Sequence, residues 1–135
     1  VLAEDHATMR RSLRLLLDSE PDIEVVGESG ELASATSQVS KLHPDVLVLD
    51  VRMPDGSSFD IVRRLGAQEP GTRIVVITMY DDHAFARHAH QAGALGFVLK
   101  DTADAELPEA VRRAAHGRTY TSPRVAPHVP PLRSV

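Results

Sequence analysis

The sequence predicts an α/β fold, a five-stranded parallel sheet doubly wound with helices on both faces. Two observations predict it. Strand-like and helix-like apolar patterns alternate five times along the chain, an order that implies parallel strands joined by right-handed crossovers. Three of the strand patterns, around Val46–Leu49, Ile74–Ile77 and Phe97–Leu99, are unbroken aliphatic or aromatic runs, as expected of strands covered on both faces. With 135 residues the chain has room for one domain with a sizeable core and not for two.

Taken in order, Val1-Leu2-Ala3 gives a first strand that is very short or cut at its start, the latter favoured because no initiator Met is present. Met9, Leu13, Leu16 and Leu17 recur at helical spacing up to Pro21. Ile23-Glu24-Val25-Val26 reads as a second, half-exposed strand. Leu32, Ala35, Val39 and Leu42 mark a second helix, ending before His43-Pro44. The central strand Val46–Asp50 is followed by a loop of turn formers, Met53-Pro54-Asp55-Gly56-Ser57-Ser58, and by a third helix carrying Ile61, Val62 and Leu65. Ile74–Thr78 is the fourth strand, Phe85, Ala89 and Ala92 the apolar edge of a helix closed by Gly93, and Gly96–Lys100 the fifth strand. Leu107, Val111, Ala114 and Ala115 mark a fifth helix, capped by Asp104 and ended by Gly117. Pro108 then falls near its first turn, so the helix starts no earlier than Thr102. Four prolines between Pro123 and Pro131 predict a linker or disordered tail over 118–135, leaving 1–117 as the folded domain.

The composition excludes several classes. A net charge of −4 disfavours direct nucleic-acid contact, and 4% aromatic residues with no Trp make base-stacking platforms unpromising. The absence of Cys removes disulfides and thiolate metal sites and fits a cytoplasmic protein. No apolar run reaches the length of a membrane span. His83, His88 and His90 stand five and two apart, offsets that do not stack on one helix face and so argue against a histidine metal site there.

Asp50 ends the central aliphatic run. Ligands of open α/β sheets bind at the carboxyl ends of the strands, although from this run alone a turn or N-cap aspartate reads equally well. The wider pattern decides: the same sheet edge collects Glu4, Asp5, Asp50, Thr78 and Lys100 from four strands. Two carboxylates about 4 Å apart at a protein surface repel by about 4 kcal/mol, so this set must take up a proton or a cation. Oxygen donors select a hard divalent ion, and Mg2+ is the natural guest. Lys100 and the Thr78 hydroxyl are then available to phosphoryl oxygens, with Asp50 as the central nucleophile.

These residues resemble the receiver domain of bacterial two-component response regulators, a flavodoxin-like fold, over Val1 to about Ser122. The resemblance rests on Glu4-Asp5, Asp50-Val51-Arg52-Met53-Pro54, Ile77-Thr78 and Gly96-Phe97-Val98-Leu99-Lys100. Asp5-His6, Thr78-Met79-Tyr80-Asp81-Asp82, Ala92-Gly93-Ala94 and Lys100-Asp101-Thr102 point to its NarL/LuxR-type branch. It implies that Asp50 takes a phosphoryl group from a histidine kinase. It further implies Mg2+ on Asp5, Asp50 and the backbone carbonyl of Arg52, with Glu4 helping through water. Lys100 would pair with the phosphoryl group, and Thr78 with Phe97 would form the switch. Such a protein catalyses its own phosphorylation and dephosphorylation without being an enzyme on a separate substrate. The branch implies homodimerisation on phosphorylation and transcriptional control through a helix-turn-helix domain that binds promoter DNA and is missing from these residues.

The sequence departs from the family pattern in places. Glu4 stands for the commoner Asp, Phe97 for a frequent Tyr, and Ser58 for a usual Gly. Rival readings fare worse. An aspartyl phosphatase wants a second Asp where Arg52 stands, and a nucleotide binder wants a Gly-rich loop where Glu4-Asp5-His6 stands. A stand-alone or phosphorylation-independent interaction module remains the alternative.

Overall fold

The computed structural model describes residues 1–81 and 83–125. All of its main-sheet pairings are parallel. Strands β1 (Leu2–Ala3), β2 (Glu28–Ser29) and β3 (Val46–Asp50) alternate with helices α1 (Ala7–Asp18) and α2 (Leu32–Leu42). A small antiparallel ribbon, β4 (Arg52–Met53) with β5 (Gly56–Ser57), leads into α3 (Ser58–Gln68). Then come β6 (Arg73–Thr78), α4 (His83–Ala92), β7 (Gly96–Leu99), a 3-10 turn at Lys100–Thr102, α5 (Ala103–Ala115) and β8 (Tyr120–Thr121). The sheet runs β2-β1-β3-β6-β7-β8. The strand order reverses at β1 and β3, which puts Asp50 at a topological switch point.

Residue alternation along β3 divides the core. Leu47 and Leu49 pack with Val76, Phe97 and Leu99 against Leu32, Val39, Val62, Leu65 and Ala86, on the face covered by α2, α3 and α4. Val46 and Val48 pack with Val75, Ile77 and Val98 against Leu13, Leu17, Leu107 and Val111, on the face covered by α1 and α5. Each strand thus buries both of its faces, which is why these runs show no polar alternation.

Five sequence expectations change in detail. The sheet has six strands, because Tyr120–Thr121 pairs with Gly96–Phe97 as β8. The domain accordingly continues past Gly117: Ser122 and Val125 are fully buried, the Ser122 hydroxyl accepting the Leu99 N–H at 2.9 Å. The prolines weighed against order here, yet a two-residue edge strand needs neither length nor helix. Residues 126–135 of the expected tail lie outside the described residues. Strand β2 is Glu28–Ser29, in register with Leu2–Ala3, a few residues after the expected Ile23–Val26. The N-cap of α5 is Thr102, with Asp104 the second residue of the first turn, where its charge favours the helix dipole instead. Pro108 is the sixth residue of that helix and sits buried beside Leu107, so its missing amide costs a bond inside the helix, offset by packing on the sheet.

Candidate functional site

Strand ends assemble the site. Glu4 follows β1, Asp50 ends β3, Thr78 ends β6, and Lys100 follows β7 at the start of the 3-10 turn. Parallel register makes these ends neighbours: Leu2 lies opposite Val48, Asp50 opposite Ile77, and Thr78 opposite Leu99.

The Lys100 ammonium is the hub. Its Nζ donates to Asp50 Oδ2 at 2.8 Å and to Glu4 Oε1 at 3.1 Å, joining residues 50 and 96 positions away. Glu4 and Asp50 are 0% and 2% exposed, so the two carboxylates share one buried cation. Glu4 Oε2 also stands 3.0 Å from Nζ as an ion pair, but no donor is aligned with it for a hydrogen bond. Burial raises the Glu4 carboxyl to about 7, and a hydrogen bond with Asp50 adds to the rise while Lys100 opposes it. Burial alone would lower Lys100, but its bonds to Asp50 and Glu4 outweigh that and hold it above its ordinary value.

Asp50 is fixed from three sides. Oδ1 accepts the Arg52 N–H at 3.0 Å, and the Asp50 carbonyl accepts the Ser58 hydroxyl at 2.6 Å. The loop between them is clamped to α2 by Asp55, whose two oxygens accept the N–H groups of Leu32 and Ala33 at 2.7 and 3.0 Å. Those N–H groups lower the Asp55 carboxyl. They are orphan donors of the helix N-terminus, and the N-cap residue Glu31 makes no side-chain cap bond of its own.

Glu4, Asp5, His6 and Asp50 each present a ligand atom within 4.8 Å of the others. Asp5 Oδ1 is buried without a hydrogen-bond donor. Three carboxylates against one ammonium, with two oxygens lacking donors, make a set that fits a divalent cation. Glu4, Asp5 and Asp50 thus lie together at the carboxyl ends of β1 and β3. Arg52 contributes its N–H to Asp50, while its guanidinium lies over the Tyr80 ring at 5.2 Å. Thr78 is 1% exposed and its Oγ1 accepts the Tyr80 N–H at 3.1 Å. The Phe97 ring is fully buried in the core on the face covered by α2, α3 and α4.

Residues that sequence reasoning left without a role are His6, Ser58, Asp55 and Tyr80. In the sequence Ser58 stands out only as a departure from Gly, and its neighbours do not foretell a bond back to Asp50. Asp55 reads as a turn residue, since its partners lie more than twenty positions away.

The response regulator receiver domain model matches residues 1–112. The transcriptional activator DevR/DosR of Mycobacterium tuberculosis is 40% identical over 125 residues, which are 93% of this chain and 58% of that protein. Among solved structures, a LuxR-family two-component response regulator from Aurantimonas superposes with a TM-score of 0.89 at 31% identity, covering 95% of this chain and 91% of that one. The signal receiver domain of the putative response regulator NarL from Mycobacterium tuberculosis gives 0.82 at 33% identity, covering 87% and 94%. The given chain thus spans a little over half the length of the curated relative it resembles.

Proposed function

The chain belongs to the response regulator receiver domain family, in its NarL/DevR-type group, and from that premise we propose that Asp50 accepts a phosphoryl group from a phosphohistidine of a partner kinase. The observation that carries this reading is the Lys100 ammonium bridging Asp50 and Glu4 at the switch point of the sheet.

The residues do the following. One Asp50 oxygen attacks phosphorus in line, forming the acyl–phosphate P–O bond as the P–N bond to the donor imidazole breaks, and a proton already on the other ring nitrogen lets the ring leave as neutral imidazole. Lys100, already within 2.8 Å of Asp50 Oδ2, stays beside the transferred group as a point charge. The backbone N–H of Arg52 holds the other carboxylate oxygen, which orients the attacking atom. Thr78 accepts the Tyr80 N–H and keeps its own proton to donate to a phosphoryl oxygen. Asp5, Asp50 and the Arg52 carbonyl, with Glu4 behind them, are the residues to hold Mg2+, which when bound neutralises charge on the phosphoryl oxygens. Water attack on the acyl phosphate returns the carboxylate, so the same site limits the lifetime of its own signal.

Readout starts at Thr78. As its hydroxyl turns to the phosphoryl group, the bond to the Tyr80 N–H is released, and Tyr80 is tied to the surface on two sides. It stacks on Phe85 of α4 at 5.5 Å and lies under the Arg52 guanidinium. Phe97 then serves as the packed floor over which this loop moves, a role that fits its complete burial. Homodimerisation and control of a promoter-binding domain beyond these residues are the output this group of regulators suggests.

Incubation with a small phosphodonor and Mg2+ should add one phosphoryl mass to the wild type and none to Asp50→Asn by intact-protein mass spectrometry. Equal labelling of both proteins would refute Asp50 as the acceptor.

A further inference from the structure

Two serines follow one another at the start of α3, and only the first is spent on the helix. Ser57 is the N-cap residue, its hydroxyl oxygen accepting the Asp60 N–H at 3.4 Å. Ser58 is the first helical residue, buried at 2% exposure, and its hydroxyl donates out of the helix to the Asp50 carbonyl at 2.6 Å. The need for that donor follows from where the sheet stops. Peptide groups of β3 alternate between its two neighbours: the Val48 N–H reaches the Val1 carbonyl on the β1 side, and the Val51 N–H reaches the Ile77 carbonyl on the β6 side. By the same alternation the Asp50 carbonyl faces β1, whose last pairing sets Ala3 opposite Leu49. It therefore lies past the end of that ladder, and the Ser58 hydroxyl stands in for a strand N–H. This carbonyl belongs to the peptide joining Asp50 to Val51, so holding it fixes the direction in which the chain leaves the strand. That direction decides where the Arg52 N–H lies. The same N–H donates to Asp50 Oδ1 at 3.0 Å, closing a turn on the residue two positions back, while Oδ2 stays 2.8 Å from the Lys100 ammonium.

We infer that Ser58 is a positioning residue for phosphoryl transfer: through the Asp50 carbonyl it sets the turn that aims the Asp50 carboxylate at an incoming phosphorus. The inference rests on the reading of Asp50 as phosphoacceptor and adds to it a side chain that acts only through the Asp50 main chain. A misplaced attacking atom lowers a rate steeply, whereas one neutral hydrogen bond adds only modestly to stability. Rate and stability are therefore separable at this position.

The full chain, Ser58→Ala, Ser58→Thr and Thr72→Val are incubated with phosphoramidate at saturating Mg2+. The rate of mass gain is followed by intact-protein mass spectrometry, and a urea midpoint is recorded for each protein. Thr72 is the control for lost stability, because its buried hydroxyl also donates to a carbonyl, that of Pro44 at 2.7 Å, at the end of the sheet away from Asp50. Ser58→Ala should label about three- to tenfold more slowly, the rate factor that corresponds to one hydrogen bond. Ser58→Thr keeps the hydroxyl and should stay within about twofold of the wild type. Thr72→Val should label at the wild-type rate despite a lower midpoint. Ser58→Ala labelled at the wild-type rate, Ser58→Thr as slow as Ser58→Ala, or Thr72→Val slowed as much as Ser58→Ala overturns the role of Ser58. Labelling of none of these proteins overturns instead the phosphoacceptor reading beneath it.

Discussion

A carboxylic acid with no exposed surface is the most demanding residue in this structure. Glu4 is held by Lys100, crowded by Asp50, and raised by burial to about 7. Because its folded value lies above the ordinary value of 4.5, its contribution to stability is complete below about pH 4.5 and is lost as pH rises through about 7. Glu4→Gln removes that titration. Denaturant unfolding of both proteins across this range should show the wild type losing stability relative to Glu4→Gln between those two pH values, with a constant difference on either side. A difference that is flat throughout would mean that Glu4 is ionised in the folded site at all these pH values. Lys100 is what makes the burial tolerable, since a lone buried carboxylate costs far more than a paired one.

Among the elements, β7 shows how close packing brings Lys100 to its place. Gly96 opposes Val75 across the sheet, and a Cβ at Gly96 would lie 2.9 Å from both Val75 methyl carbons. Val has few rotamers with which to yield. Gly96→Ala should therefore destabilise the domain by about 1–3 kcal/mol, read as a lower urea midpoint with an unchanged slope; a midpoint equal to the wild type would show that the strands part without cost. The other device at this scale is the loop after β3, which Asp55 pins to the N-terminus of α2 and Ser58 pins to the Asp50 carbonyl. Long apolar runs made β3, β6 and β7 legible, and the spacings in α1 to α4 were equally plain. Short strands were not: β2 and β8 are two residues each, too brief for any period to register, and their existence depends on partners supplied by β1 and β7. Likewise Glu4, Asp5, Asp50, Thr78 and Lys100 could be read as one edge because parallel topology forces it. The capping role of Asp55, the bond from Ser58 and the turn of His6 toward the acids depend on side-chain geometry, which spacing does not encode.

For the molecule as a whole, the sheet is a scaffold that converts sequence-distant residues into one rigid edge. Its six strands hold Asp50 at the centre, with α1 and α5 closing one face and α2, α3 and α4 the other. The described residues contain no helix long and apolar enough to cross a membrane. On the side of the Thr78–Tyr80 loop, Met79 and Tyr80 are exposed, and Tyr80 is held by the Thr78 hydroxyl, the Phe85 stack and the Arg52 guanidinium. On the proposed reading, a charge gained at Asp50 would reach the α4 surface through this loop, and a two-state coupling of that kind needs about 1–3 kcal/mol. All of this depends on where the phosphoryl group is attached. After treatment with a phosphodonor and Mg2+, borohydride reduction converts an aspartyl phosphate to homoserine, and peptide sequencing by tandem mass spectrometry then locates it. The account predicts homoserine at position 50 alone; a reduced residue at Glu4 or Asp5, or reduction nowhere in the chain, would contradict it.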